Sequence, residues 1–101
     1  MTAEILAARR EILSRLREQR AILGRRYPIH RLALFGSRAR GDARDDSDVD
    51  VLVEVDPSVG LRFAELGDEL ERAVGRPVDL VSRRAIKPSL WKRIEAELID
   101  A

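Results

Sequence analysis

Two carboxylates, Asp48 and Asp50, interrupt a run in which Val49, Val51, Val53 and Val55 alternate. Alternation puts the valines on one face of a strand and Asp48, Asp50, Leu52 and Glu54 on the other. Aspartate is depleted in strands, and such breaches of a local rule are expected at functional sites. Residues i and i+2 of a strand lie roughly 6.5–7 Å apart at Cα. Their carboxylates can therefore converge on one divalent ion, or bridge two ions about 3.5–4 Å apart. Oxygen donors select hard cations such as Mg2+ or Mn2+. A strand with one wet face would carry the same pair, and the spacing alone leaves both readings open.

Upstream, Gly36-Ser37 follows the apolar run Ile29 to Phe35. A glycine at a strand end lets the backbone approach a ligand closely. The serine hydroxyl and the N–H groups of the next turn are then placed to hold phosphate oxygens. The segment has no lysine and only this one Gly-Ser, so neither G-x-x-x-x-G-K-[ST] nor G-x-G-x-x-G is present. Taken alone, Gly36-Ser37 is equally an ordinary turn.

The combination is more specific. Gly36-Ser37, then ten residues, then Asp48-Val49-Asp50 resembles the signature of the DNA polymerase β-type nucleotidyltransferase superfamily. The fuller text, Leu34 to Gly41 and Ser47 to Val53, is similar to its minimal, MNT-type branch. Many members of that branch are antitoxins encoded beside HEPN-domain ribonucleases. The branch carries a third carboxylate on a later strand, and Asp79 in Val78-Asp79-Leu80-Val81 matches it. The resemblance spans about residues 29–99.

That resemblance implies a minimal nucleotidyltransferase fold and a division of labour. Gly36 and Ser37 would hold the triphosphate of ATP, with Arg38 and Ser47 completing the nucleotide-binding set. Asp48, Asp50 and Asp79 would bind two Mg2+ ions, or Mn2+, and Asp79 would also help deprotonate the attacking hydroxyl. AMP would pass to a hydroxyl, a tyrosine's by family resemblance, on a cognate HEPN toxin. Two other functions stay open: an antitoxin that works by binding alone, and a transferase acting on a small molecule or an RNA end. Relatives that handle antibiotics or RNA carry a further substrate-binding domain, so 101 residues favour a substrate brought by another protein. Arg38 and Arg40 flank the phosphate loop, where each is either a phosphate partner or a solvated side chain.

Composition narrows the classes further. The chain has 19 basic and 18 acidic residues and a net charge of +1, which argues against a generic polyanion binder. Yet residues 1–44 hold 11 basic and 4 acidic side chains, while residues 45–101 hold 8 and 14. Asp45 to Asp56 alone carries six acids and no base, a cluster of like charges that reads either as a solvated loop or as a cation site. The absence of cysteine excludes disulfides, zinc–thiolate sites and thiol catalysis. No apolar run approaches the roughly 18 residues of a membrane span, and Met1-Thr2-Ala3-Glu4 does not open a signal peptide. A cytoplasmic location and no membrane partner are the expectation. Tyr27, Phe35, Phe63 and Trp91 are the only aromatics, too few for the stacking that single-strand binders use, so direct nucleic-acid binding is not expected. A domain this small with an apolar strip exposed is expected in a hetero-oligomer, with a homodimer left open for the chain alone.

The elements that must position these residues follow from periodicity. Residues 3–23 read as an amphipathic helix on Ile5, Ile12, Leu16 and Leu23, capped by Thr2 and ended by Gly24. Its other face, Arg9, Arg10, Arg17 and Arg20, reads as solvated or facing an acidic partner. Residues 29–35 and 48–55 read as strands, with a short helix or turn between them. A turn at Asp56-Pro57-Ser58 leads to a helix over 61–74, broken by Gly75-Arg76-Pro77. A third strand is expected at 78–82 and a last helix at 89–99, capped by Ser89, with Leu90, Trp91, Ile94 and Leu98 on one stripe. The lone histidine, His30, reads as structural, and Trp91 as core or partner contact. The fold class is α/β (α+β): a small mixed β-sheet with helices packed on it. It forms one domain over 1–101, made of an N-terminal helix (1–24), a catalytic core (29–82) and a C-terminal helix (89–99).

Overall fold

The computed structural model describes all 101 residues, Met1–Ala101. Helix α1 (Ala3–Leu23) leads into β1 (Ile29–Phe35), the short α2 (Gly36–Arg40) and β2 (Val49–Val55). Then come α3 (Arg62–Val74), β3 (Val78–Ser82), α4 (Pro88–Glu97) and β4 (Ile99–Asp100), with 3-10 turns at Pro57–Val59 and Arg83–Ala85. The four strands form one mixed sheet in the order β3-β2-β1-β4. β2 runs antiparallel to β1 and parallel to β3, and α3 makes the crossover that a parallel pair requires.

The two faces of the sheet are covered unequally. On one, Val49, Val51 and Val53 of β2 and Leu32 and Leu34 of β1 join Ile12, Leu16 and Leu23 of α1 and Leu66 and Leu70 of α3 in one apolar cluster. The i, i+4 spacing of Ile12 and Leu16 gives α1 the stripe that seats there, and the Thr2 hydroxyl caps its start by accepting from the Ile5 N–H at 3.2 Å. On the other face only Ala33, Leu52 and Ile86 are buried, with Phe35, Val81, Trp91, Ile94 and Leu98 half-covering them. α4 is the sole helix over that face and has no fully buried residue. The site lies on this thinly covered side. No helix is long and apolar enough to cross a membrane.

Three sequence expectations are corrected. The last helix stops at Glu97 rather than at residue 99, because Leu98 is extended and the chain continues as β4. Ile99 pairs with Leu34 and Asp100 with Ala33, which closes the free edge of β1. Helical periodicity could not show this pairing, since its partner lies far back in the sequence. That helix also starts on Pro88, with Lys87 rather than Ser89 at the cap position, since proline suits the first turn where no N–H is needed. Finally, two arginines of α1 are used internally instead of being solvated. Arg9 donates to the Ala39 carbonyl oxygen at 3.0 Å and Arg20 to the Ala101 oxygen at 2.7 Å, tying α1 to α2 and to the end of the chain.

Candidate active site

β1 delivers the phosphate-loop residues and β2 and β3 deliver the carboxylates. Phe35 stands opposite Asp50 across the β1–β2 ladder, and Asp50 stands opposite Asp79 across β2–β3. Neighbouring strands lie about 4.8 Å apart, so Phe35, Asp50 and Asp79 form a row on one face. Asp48 precedes β2 by one residue, close enough for its charge to act on Asp50. Asp50 is half-buried, while Asp48 and Asp79 are exposed.

The turn from β1 into α2 is made by Gly36 at φ +74°. A Cβ there would run into the Asp50 carboxylate. The absent side chain is what lets the backbone lie directly over the carboxylate. Ser37 and Arg40, three residues apart on α2, share the face that looks into a cavity of about 580 Å³. Gly36, Ser37, Arg40, Asp50 and Asp79 form its polar floor, and Val81, Ile86, Leu90 and Ile94 form an apolar wall. Lys87, Arg93 and Glu97 of α4 and the turn before it complete the rim.

Electrostatics mark Asp50 as the strained member. Burial, then the charges of Asp79 and Asp48, push its carboxyl above the ordinary value, and Arg40 pulls it back down. No three of the acidic side chains close round a single point here. What the chain offers is a facing pair, Asp50 and Asp79, with Asp48 at the edge. These are oxygen donors only, the chemistry that hard divalent cations take.

The residues expected at the site are not all in it. Gly36, Ser37, Asp50 and Asp79 line the cavity, whereas Asp48, Arg38 and Ser47 do not. Arg38 is 3% exposed, and its Nη2 donates to the carbonyl oxygens of Asp45 (3.2 Å) and Ser47 (3.0 Å). Burial, then the nearby Arg76, lowers its pKa. Ser47 Oγ accepts from the Arg44 N–H at 2.8 Å. Both side chains thus shape the loop that delivers Asp48. Two residues along a helix turn the side chain by about 200°, which is why Arg40 reaches the cavity and Arg38 the interior.

Arg38→Met keeps the buried stem and loses both bonds. We expect it to lower stability by about 1–3 kcal/mol and to speed amide exchange across residues 42–48. A weaker nucleotide affinity at an unchanged unfolding midpoint would instead show Arg38 touching phosphate.

Sequence alone does not single out Glu97, because a helix read as running to residue 99 makes it one more acid on a wet face. In the structure its carboxylate is nearly buried, at 14% exposure. Oε2 accepts from the Gly36 N–H at 3.1 Å and Oε1 from Arg40 Nη1 at 2.9 Å. The bond to Glu97, then one to Asp42, raises the Arg40 pKa. His30 is exposed beside an irregularity in the β1–β2 register, away from the cavity. Trp91 is half-buried under the Arg83 guanidinium, 3.7 Å from its ring centre.

Known proteins resemble this chain in sequence and fold. The chain is similar to the protein adenylyltransferase MntA of Thermococcus cleftensis, with 38% identity over 91 residues, 88% of this chain and 91% of that one. A solved structure of a candidate minimal nucleotidyltransferase superposes with a TM-score of 0.69 at 38% identity, covering 98% of this chain and 95% of that one. A crystal structure of a toxin–antitoxin with AMP-PNP superposes with a TM-score of 0.65 at 25% identity, over 91% of this chain and 70% of that one. The family model described as the nucleotidyltransferase domain matches residues 16–101. That match runs through the glycine-serine loop and all three strands that carry or face the carboxylates, and by it this chain belongs to the nucleotidyltransferase domain family.

Proposed function

We propose that this nucleotidyltransferase moves AMP from ATP to a tyrosine hydroxyl of a cognate HEPN-domain ribonuclease, and that the modification silences the ribonuclease. One observation carries the reading: Asp50 and Asp79 stand in register beneath the Gly36-Ser37 loop, at the floor of an open cavity. The hydroxyl oxygen attacks the α-phosphorus of ATP, the bond to the bridging oxygen of the β-phosphate breaks, and pyrophosphate leaves. The hydroxyl proton passes to Asp79, the exposed member of the facing pair. Gly36, Ser37 and Arg40 hold the departing phosphates, and the loop stapled by Arg38 presents Asp48. Asp48, Asp50 and Asp79 would hold Mg2+, or Mn2+, which when bound neutralises the triphosphate and activates the hydroxyl. The similarity to a named protein adenylyltransferase supports a protein as acceptor. The likeness to a toxin–antitoxin with a nucleotide analogue supports ATP as donor and a toxin as partner. A cytoplasmic hetero-oligomer follows from that assignment.

The test is to incubate the chain with ATP, Mg2+ and the product of the neighbouring gene, expected to be a HEPN-domain protein. An AMP adduct on the partner is expected, located to tyrosine by peptide mass spectrometry and absent with Asp48→Asn. If Asp48→Asn still neutralises the ribonuclease as well as wild type, neutralisation works by binding and transfer is not its basis. An adduct on a small molecule with no partner present would move the assignment to that acceptor.

A further inference from the structure

Two of the donors that an incoming phosphate would use are already in use. Glu97 takes the Gly36 N–H with one carboxylate oxygen and the Arg40 guanidinium with the other. A backbone N–H and an arginine are the usual partners of a phosphate oxygen, and a carboxylate bound to both presents the same sign of charge and the same kind of acceptor. We infer that Glu97 is a built-in occupant of the phosphate subsite, which a nucleoside triphosphate must displace and which therefore sets the affinity of the free chain for nucleotide. The inference rests on the proposed function only in taking a nucleoside triphosphate as the ligand of this cavity.

The alternative is that Glu97 holds the loop in its working shape. The loop is held without it. The Gly41 and Asp42 N–H groups both donate to the Ser37 carbonyl, at 2.9 and 3.2 Å. Arg9 donates to the Ala39 carbonyl from α1. Arg40 also keeps a second partner, Asp42, at 3.3 Å, so it stays at the cavity mouth once Glu97 leaves. Glu97 is the last residue of α4, and the cavity beside it is open. Its release asks for side-chain rotation and for no movement of the sheet.

Displacement lowers apparent affinity by the fraction of molecules whose subsite is free. Removing the occupant should recover that fraction and also expose a cation to the triphosphate. The experiment is calorimetric titration of the free chain with Mg2+-ATP, for wild type, Glu97→Gln, Glu97→Ala and Glu95→Gln. Glu95 is exposed two residues away on α4 and does not line the cavity, so it matches the charge change outside the site. We expect Glu97→Gln and Glu97→Ala to bind Mg2+-ATP about 5–20-fold more tightly, and Glu95→Gln to match wild type. Unfolding midpoints measured alongside separate affinity from folding, and the Glu97→Gln change preserves the side-chain shape.

Weaker binding by both variants would make Glu97 a positioning residue of the loop and overturn the inference. Unchanged binding, or an equal gain in Glu95→Gln, would overturn it too. Binding by the Glu97 variants where wild type shows none would support it in its strongest form. If neither wild type nor variants bind Mg2+-ATP, both the nucleotide reading and this inference fall. If they bind as expected but no partner is modified, only the proposed acceptor is wrong.

Discussion

Asp50→Asn is expected to lower AMP transfer by roughly 10³-fold and to raise the unfolding midpoint slightly in the absence of metal. In the proposed mechanism Asp50 would be one carboxylate of a two-ion clamp, whose loss would remove several kcal/mol of transition-state stabilisation, and each 1.4 kcal/mol is about tenfold in rate. The stability change has the opposite sign for a reason visible in the free chain. Asp50 is half-buried and faces Asp79 across the ladder, with Asp48 two residues away. Burial and both neighbours oppose its charge. Asparagine is isosteric and neutral, so it removes the repulsion and keeps the packing. A site built for chemistry at the expense of stability shows this divergence. Transfer assays and thermal unfolding on the same preparation test it. A variant that loses activity and melts earlier would place Asp50 in the architecture rather than in the chemistry. Adding Mg2+ should raise the melting point of wild type more than that of the Asp50→Asn variant, since a ligand that binds the folded state stabilises it more the tighter it binds.

How much of this can be read from the sequence differs by residue, and the reason is the range of the interaction. The valine alternation in β2 and the stripe of α1 are local patterns, and both elements appear where periodicity puts them, within a residue or two. Gly36, Ser37, Asp48 and Asp50 belong to one short segment, and their text alone ties a loop to a strand. Asp79 is picked out by the resemblance to the minimal branch, which carries a third carboxylate on a later strand, yet its partnership with Asp50 depends on the parallel register of β2 and β3, which no local pattern encodes. β4 escapes because two residues carry no periodicity and gain their conformation from the edge of β1. Arg38 and Arg40 look equivalent in sequence. The rotation over two helical positions sends one to the loop carbonyls and the other to the cavity. Glu97 is the extreme case, because its partners lie 57 and 61 residues away.

Gly36→Ala should cost both stability and activity, and Gly75→Ala gives the comparison that isolates the cause. Both glycines have left-handed backbones, at φ +74° and +72°. An L-residue in that region costs about 1–2 kcal/mol, so each alanine variant should lose about that much by strain alone. At Gly75, the cap of α3, an added Cβ meets nothing within 4 Å. That variant should melt earlier and transfer AMP at the wild-type rate. At Gly36 the added Cβ would meet the Asp50 carboxylate. Either the loop lifts away from the floor or Asp50 turns away from Asp79, and both outcomes break the arrangement that chemistry needs. A displacement near 1 Å at a reacting centre can cost about 10²-fold, so transfer should fall by at least that factor and stability by more than in Gly75→Ala. Equal losses of stability with transfer intact in both variants would mean that the close approach of loop and carboxylate is incidental. Loss of transfer only in Gly36→Ala would tie the activity to that approach. It would also show why a glycine stands where β1 gives way to α2: the position must take a left-handed turn and leave room for a charge beneath it.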